Sequence, residues 1–352
     1  MSAMTFDLEI AGQHIAAGTR TTIELPLPPL YTHTPMVMPV HVVRGKKDGP
    51  VLLLSAAVHG DELNGIEIIR RILQLSAMKR IKGSIIAVPV VNVYGLIQSS
   101  RYLPDRRDLN RSFPGSDRGS LAARLADIFL NQLVAKCTHG IDLHTGAIHR
   151  SNLPQIRANL DDELTLTMAK SFGTPVVLNS NLRDGSLREA ADSRGVPMLL
   201  YETGQALRFD EIGIRGGVKG VANVMRHLGM LPKSKSRKIA EPLIARYSKW
   251  LRATSSGLLK TLKPLGARVK RDDLLALVDD PLGDNQTEIR ASFSGLIIGR
   301  TEIPLVHEGE AVFHIARFED SKEAAGQVEL YQTELSPEDE LRSYSNDEPP
   351  IV

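Results

Sequence analysis

The chain has 352 residues and, with 43 Lys and Arg against 41 Asp and Glu, a net charge of +2. At 42% hydrophobic and 24% charged, it has the composition of a globular protein that buries a core without staples, and its length suits about two domains. The balanced charge excludes a general nucleic-acid binder, the single cysteine (Cys137) excludes a disulfide framework or a four-cysteine zinc site, and no apolar run reaches the roughly 18 residues of a membrane span. Asp7 and Glu9 lie where a secretory signal would be basic and then apolar, so a cytoplasmic protein is expected.

Residues 1–50 read as an introductory β-rich segment, cut into short extended pieces by prolines at 26, 28, 29, 35 and 39. Residues 51–58, apolar on both faces, predict a buried strand. After Asn64 and Gly65 a helix is predicted with Ile66, Ile69, Ile72 and Leu73 on one side. Residues 85–91 predict a second strand, with a bend or an unpaired position at Pro89. Residues 120–136 form the clearest amphipathic helix, capped by Ser120, with Leu121, Leu125, Ile128, Phe129 and Leu133 in helical spacing. Residues 141–144, 175–178 and 198–201 predict short strands, and 218–229 a helix. Strands alternating with helices indicate an α/β fold, a mixed or parallel sheet flanked by helices.

The composition shifts near residue 231. Between 233 and 252 seven bases stand against one acid, Glu241. A solvated linker helix is the ordinary reading of such a run, and an anion-binding surface the alternative. From 253 to 317 short strands recur between glycines, and 266–278 is echoed by 304–316. This resembles the small barrel-sandwich of biotinyl and lipoyl carriers. The hairpin tip at 279–285 lacks the lysine such carriers need, so an appended β domain is expected and not a cofactor carrier. Residues 318–348 hold ten acids and two bases, an acidic tail suited to partial disorder. The domain plan is an α/β domain with its N-terminal β segment over 1–232, a basic linker over 233–252, a β domain over 253–317 and an acidic tail over 318–352.

His59 and Glu62 sit three apart just beyond a buried strand, and strand ends of α/β sheets are where ligands usually bind. An imidazole nitrogen and a carboxylate at that spacing reach one metal ion across a tight turn. A catalytic zinc site takes three such protein ligands and keeps a fourth position for water. His144 ends another short strand and is available as the third ligand, although a satisfied core histidine is the plainer reading of it alone. Asp142 points the same way along that strand and suits a partner for the other nitrogen of His144. Glu202 follows the strand 198–201. It is either a surface glutamate at a strand exit or a general base for a zinc-bound water. Arg101, Arg106, Arg107 and Arg111 fall within eleven residues, as either an anion site with an oxyanion-stabilising member or a solvated basic loop.

Four motifs in order, HGDE (59–62), DLNRSFPG (108–115), DLHTG (142–146) and ETG (202–204), resemble the succinylglutamate desuccinylase/aspartoacylase family, within the wider group of zinc-carboxypeptidase-like folds. The resemblance covers roughly residues 40–230, and an appended β domain also fits it. It implies one Zn2+ per chain on His59, Glu62 and His144, Glu202 as general base, Asn110 and Arg111 on the substrate's carboxylate, and Arg101 on the scissile carbonyl. The stretch from Arg101 to Asp108 is longer than in aspartoacylases, so Arg106 and Arg107 stay candidates for that last role. Asp61 stands where aspartoacylases usually have Asn, at a position that is not a ligand. The implied reaction is deacylation of an N-acyl amino acid or a similar small acidic amide by zinc-activated water. A metallocarboxypeptidase acting on peptides or protein tails would use the same machinery. An inactive binding protein on the same fold is disfavoured by the complete set of ligands and base. The expected partner is a small-molecule acidic amide, with no nucleic acid and no membrane; a homo-oligomer is left open.

Overall fold

The computed structural model describes residues 8–233 and 241–336. A short hairpin, β1 (Glu9–Ile10) and β2 (Gln13–His14), leads into β3 (Arg20–Leu27), β4 (Met36–Arg44) and β5 (Lys47–Ala56). Next come α1 (Asn64–Gln74), β6 (Lys82–Val88), α2 (Val93–Ile97), α3 (Leu121–Gln132), β7 (His139–Gly146) and β8 (Arg150–Ala158). The α/β region closes with α4 (Glu163–Phe172), β9 (Val176–Asn179), α5 (Leu187–Asp192), β10 (Met198–Gln205) and α6 (Glu211–His227).

At the centre of the sheet β10, β7, β5 and β6 lie side by side and parallel, with β4 and β3 antiparallel at one edge. Parallel strands are covered on both faces, which is why residues 51–58 carry no polar alternation. The two faces of β5 go to different cores. Leu52 and Leu54 join Ile68, Ile69 and Ile72 of α1 and Val221 and Val224 of α6. Val51 and Leu53 join Leu125 and Phe129 of α3. Phe129→Ala should therefore cost about 3–5 kcal/mol, measured by denaturant unfolding; a loss under about 1 kcal/mol would mean that this face is not packed.

The predicted elements hold with three adjustments. In α1 the buried stripe runs through Ile68, Ile69, Ile72 and Leu73, and Ile66 is only half-buried. Strand β6 stops at Val88, where Pro89 removes a ladder donor. Helix α6 begins at Glu211, capped by Asp210, seven residues before the expected start at 218. Its glycines hid it from a reading by apolar spacing. They are there for contact: a Cβ on Gly217 would come within 2.4 Å of Ile68, and one on Gly220 within 2.0 Å of Phe172. Strand β8 and helices α4 and α5 had no counterpart among the predicted elements.

The remaining strands are β11 (Leu243–Ala245), β12 (Tyr247–Arg252), β13 (Gly257–Thr261), β14 (Arg268–Val269), β15 (Leu274–Asp279), β16 (Gln286–Arg290), β17 (Gly295–Thr301), β18 (Leu305–Val306) and β19 (Ala311–Arg317). They are followed by α7 (Ser321–Glu334). The echoed segments fold alike, each as a two-residue strand, a turn and a longer strand: β14 and β15, then β18 and β19. Strands β16, β15, β13 and β18 make a four-stranded sheet over an apolar cluster that they share with β12, β17 and β19. Strands β12, β19 and β17 continue the large sheet, with β17 paired to β8. Where it is described, the basic stretch is thus two strands and not a solvated helix, because β11 pairs with β9 and β12 with β19; residues 234–240 lie outside the described residues. The first part of the acidic tail is helix α7, which buries Ala324, Val328 and Tyr331. Residues 337–352 lie outside the described residues.

Candidate active site

Three parallel strands bring the chemistry-bearing side chains together. At the end of β5 the chain turns through Ala57, at a φ of 48° that residues with a side chain seldom adopt, into His59 and Glu62. Strand β7 carries Asp142 and His144, with Asp142 beside Ser55 of β5. Strand β10 carries Glu202 beside His144. All of them sit at the carboxyl ends of the central strands.

His59 Nδ1 lies 2.7 Å from Glu62 Oε1, and His144 Nδ1 lies 2.8 Å from Glu62 Oε2. The three residues are buried, and their candidate ligand atoms all lie within 4.8 Å of one another. The outer nitrogens are also held. His144 Nε2 is 2.6 Å from Asp142 Oδ2, while Ser55 Oγ donates to Asp142 Oδ1 at 2.7 Å. His59 Nε2 is 3.1 Å from Asp108 Oδ1. Carboxylates on the outer nitrogens fix both rings with Nδ1 inward, the kind of outer contact that sets a histidine ligand's tautomer and orientation. Two imidazoles and one carboxylate, converging and oriented from behind, fit the donor set of a catalytic zinc site.

Burial pushes the Glu62 carboxyl up, but His59 and His144 outweigh it and hold it well below the usual carboxylate range. Burial pulls His144 down, and the Asp142 and Glu62 carboxylates overcome that and raise it well above the ordinary imidazole value. The cluster therefore favours positive charge at its centre, from protons or from a metal cation.

Arg101 Nη1 donates to Glu62 Oε1 at 3.2 Å and Nη2 to Asp108 Oδ2 at 3.0 Å. Arg106 and Arg107 are exposed and outside the cavity, so of the three arginines weighed for the carbonyl Arg101 is the one that lines it. Asn110 and Arg111 lie in a short turn capped by Asp108, whose Oδ1 accepts from the Asn110 N–H, and Asn110 Oδ1 accepts from the Leu187 N–H at 2.9 Å. His59, Glu62, His144, Glu202, Arg101, Asn110 and Arg111 all line one cavity of about 210 Å³.

The cavity also holds residues that reading by motif did not find. Arg150, Asn152 and Arg157 come from β8, Arg183 and Arg188 from the region around α5, and Trp250 from β12. Among the described residues six guanidinium groups (Arg101, Arg111, Arg150, Arg157, Arg183 and Arg188) thus line the same cavity as the carboxylates of Glu62 and Glu202. Arg188 is buried and, among the described residues, donates only to the Ser180 and Asn181 oxygens; burial first, then the guanidinium of Arg157, pulls its pKa down to about 10.

Residues 48–228 match the succinylglutamate desuccinylase/aspartoacylase catalytic domain. The chain belongs to this family. It is a hydrolase of amide bonds. This family member is 27% identical over 300 residues to the N-alpha-acetyl-L-2,4-diaminobutyric acid deacetylase of Halomonas elongata, spanning 81% of this chain and 87% of that one. The product-bound ectoine utilization protein EutE (DoeB) of Ruegeria pomeroyi superposes with a TM-score of 0.76 at 26% identity, covering 85% of this chain and 94% of that one. A succinylglutamate desuccinylase/aspartoacylase from Rhodobacter sphaeroides shares the fold, with a TM-score of 0.77 at 23% identity over 85% of this chain and 95% of that one. Among the described residues of the desuccinylase/aspartoacylase chain, no helix is long and apolar enough to cross a membrane.

Proposed function

We propose that this desuccinylase/aspartoacylase family member is a zinc-dependent, cytoplasmic deacylase of small N-acyl amino acids that carry further negative charge. The observation behind the reading is the meeting of a His/Glu/His donor set, Glu202 and six arginines in a single cavity of about 210 Å³. A zinc ion on His59, Glu62 and His144 would supply a Lewis acid and lower the pKa of water from 15.7 to about 7. The protein's own groups do the rest. Glu202 takes the proton of the water that adds to the amide carbonyl, then returns it to the nitrogen as the C–N bond breaks. Arg101 donates to the carbonyl oxygen as negative charge develops there, a type of contact worth about 3–4 kcal/mol. Asn110 and Arg111 grip the carboxylate of the amino-acid portion and set which bond is cut.

The arginines bear on the substrate. The Halomonas relative is named for a diaminobutyric acid, whose side-chain amine is cationic at neutral pH. Six guanidinium groups and two carboxylates line the cavity, with the carboxylates of Asp108 and Asp142 behind it; this positive surplus disfavours a second cation and favours a second carboxylate. The small volume, below the roughly 300–1,000 Å³ of drug-sized pockets, suits a small amide better than a protein tail. We read residues 1–232 as the hydrolase unit and 253–317 as an appended β unit whose strands β17 and β19 are joined to the main sheet.

The test is a hydrolysis screen of the zinc-loaded protein on N-acetyl and N-succinyl derivatives of aspartate, glutamate and 2,4-diaminobutyrate, with glutamate-ending peptides alongside. The acidic derivatives should exceed the diaminobutyrate derivatives in kcat/KM by about 100-fold, the effect of a like charge in a charged site. A preference for diaminobutyrate or for peptides would contradict the reading. Within the acidic set, Arg111→Ala should raise KM for a free carboxylate about 10- to 100-fold more than for its primary amide. Equal effects on both would remove Arg111 from carboxylate binding.

A further inference from the structure

We propose that the carboxy-terminal strands hold the general base in place: Gly299 of β17 seats Asn152, and Asn152 together with Arg157 pins one oxygen of Glu202. The inference rests on Glu202 being the base, as proposed above. Asn152 Nδ2 donates to Glu202 Oε2 at 2.6 Å, and Arg157 Nη2 lies 3.0 Å from the same oxygen. A carboxylate held through Oε2 presents Oε1 as its proton acceptor, in a fixed direction. Asn152 and Arg157 are therefore positioning residues.

The strand pairing explains how Asn152 reaches Glu202. Strand β8 runs antiparallel to β10, with Leu200 opposite Arg157 and Glu202 opposite Gln155. Arg157 thus shares the face of Glu202 by ordinary alternation. Uninterrupted alternation would put Asn152 on the opposite face. The register shifts instead, so that Gly204 is opposite Asn152: two steps on β10 match three on β8. This bulge at Leu153 and Pro154 turns Asn152 onto the face of Glu202 and leaves Leu153 in an apolar cluster with Leu296 and Ile298.

On its other side β8 pairs with β17, and Asn152 is opposite Gly299. A Cβ at position 299 would lie 2.7 Å from Asn152 Oδ1, 3.3 Å from His314 Cβ and 3.5 Å from the Trp250 ring. Glycine leaves the space that the Asn152 amide fills. Behind it Trp250 and His314 stack with ring centroids 4.8 Å apart and planes 11° apart. Asn152 is 6% exposed, and its amide has a wall on the side away from Glu202. In this way β12, β17 and β19 act on the reaction without supplying a metal ligand.

The test is steady-state kinetics of the full zinc-loaded chain on N-acetyl-L-aspartate or N-acetyl-L-glutamate, whichever is cleaved faster. Asn152→Ala and the near-isosteric Asn152→Asp should each lower kcat about tenfold or more, with KM changed less than about threefold and zinc retained. Arg157→Lys should keep more of kcat than Arg157→Ala. Gly299→Ala should lower kcat several-fold, and adding it to Asn152→Ala should cost nothing further, because the new methyl has no amide left to displace. Should Gly299→Ala fail to fold, the Asn152→Asp and Arg157→Lys variants decide. A Glu202→Gln reference separates the two readings. If it is inactive while Asn152→Ala keeps full kcat, or shows a raised KM alone, the positioning role is overturned and the base stands. Additive losses for Asn152→Ala and Gly299→Ala overturn the role of β17. Full activity of Glu202→Gln removes the base and this inference with it.

Discussion

Glu202→Gln is expected to lower kcat by about 100- to 10,000-fold, the range over which a positioned base contributes. Glutamine keeps the length and shape of the side chain, and its carbonyl oxygen can still accept from Asn152 Nδ2 and Arg157 Nη2. The fold and the cavity should survive, while the group that takes up the proton of the attacking water is gone. Glu202 is not one of the three converging donors, so zinc content should stay near one per chain. The check pairs single-turnover kinetics with metal analysis of the same preparation. Normal turnover would exclude Glu202 as the base, and a metal-free variant would place it among the ligands.

The second large effect concerns the metal. His144→Ala should release zinc on dialysis and abolish activity, because it removes one of three donors and leaves Asp142 and Glu62 as two buried carboxylates without the imidazole between them. Asp142→Asn is the milder companion. It keeps the ligand but weakens the carboxylate on its outer nitrogen, and the expected loss is about 10- to 100-fold in metal affinity. The sign of the pH dependence follows from the same contacts. Burial pulls His144 down, yet Asp142 and Glu62 raise it well above the ordinary imidazole value. A metal must displace that proton, so affinity should be weaker at pH 6 and tighter at pH 8 in a competition titration with a chelator. Affinity that is flat across this window would separate His144 from the metal.

Much of the site was legible because its residues are tied to local pattern. His59 and Glu62 follow a strand that is apolar but for Ser55, and the alternation of Asp142 and His144 along β7 already placed one behind the other. Periodicity also found α3, where Ser120 Oγ accepts from the Ala123 N–H as the cap predicts. It failed on α6, where Gly213, Gly216, Gly217 and Gly220 serve close packing and weaken the apolar signal. It failed again on the basic stretch, where β11 and β12 owe their state to the partners β9 and β19 and not to their own charge pattern. The arginines of β8 and α5 carry no spacing rule at all. Arg157 and Arg188 reach the cavity through strand pairing and helix placement, which only the assembled sheet defines. Asn152 is harder still to find, since a bulge sets the direction of its side chain. Among Arg101, Arg106 and Arg107 the sequence offers three equal guanidinium groups, and the Glu62 and Asp108 carboxylates hold the first at the cavity.

The central claim is that one zinc ion sits among His59, Glu62 and His144 within reach of Glu202. Anomalous diffraction at the zinc edge from crystals of the zinc-loaded protein tests it most directly. The account predicts a single strong peak per chain, bounded by the Nδ1 atoms of both histidines and the Glu62 carboxylate, inside the cavity that Glu202 and Arg111 line. A peak at another cluster, or none in a protein that deacylates N-acyl amino acids, would contradict it.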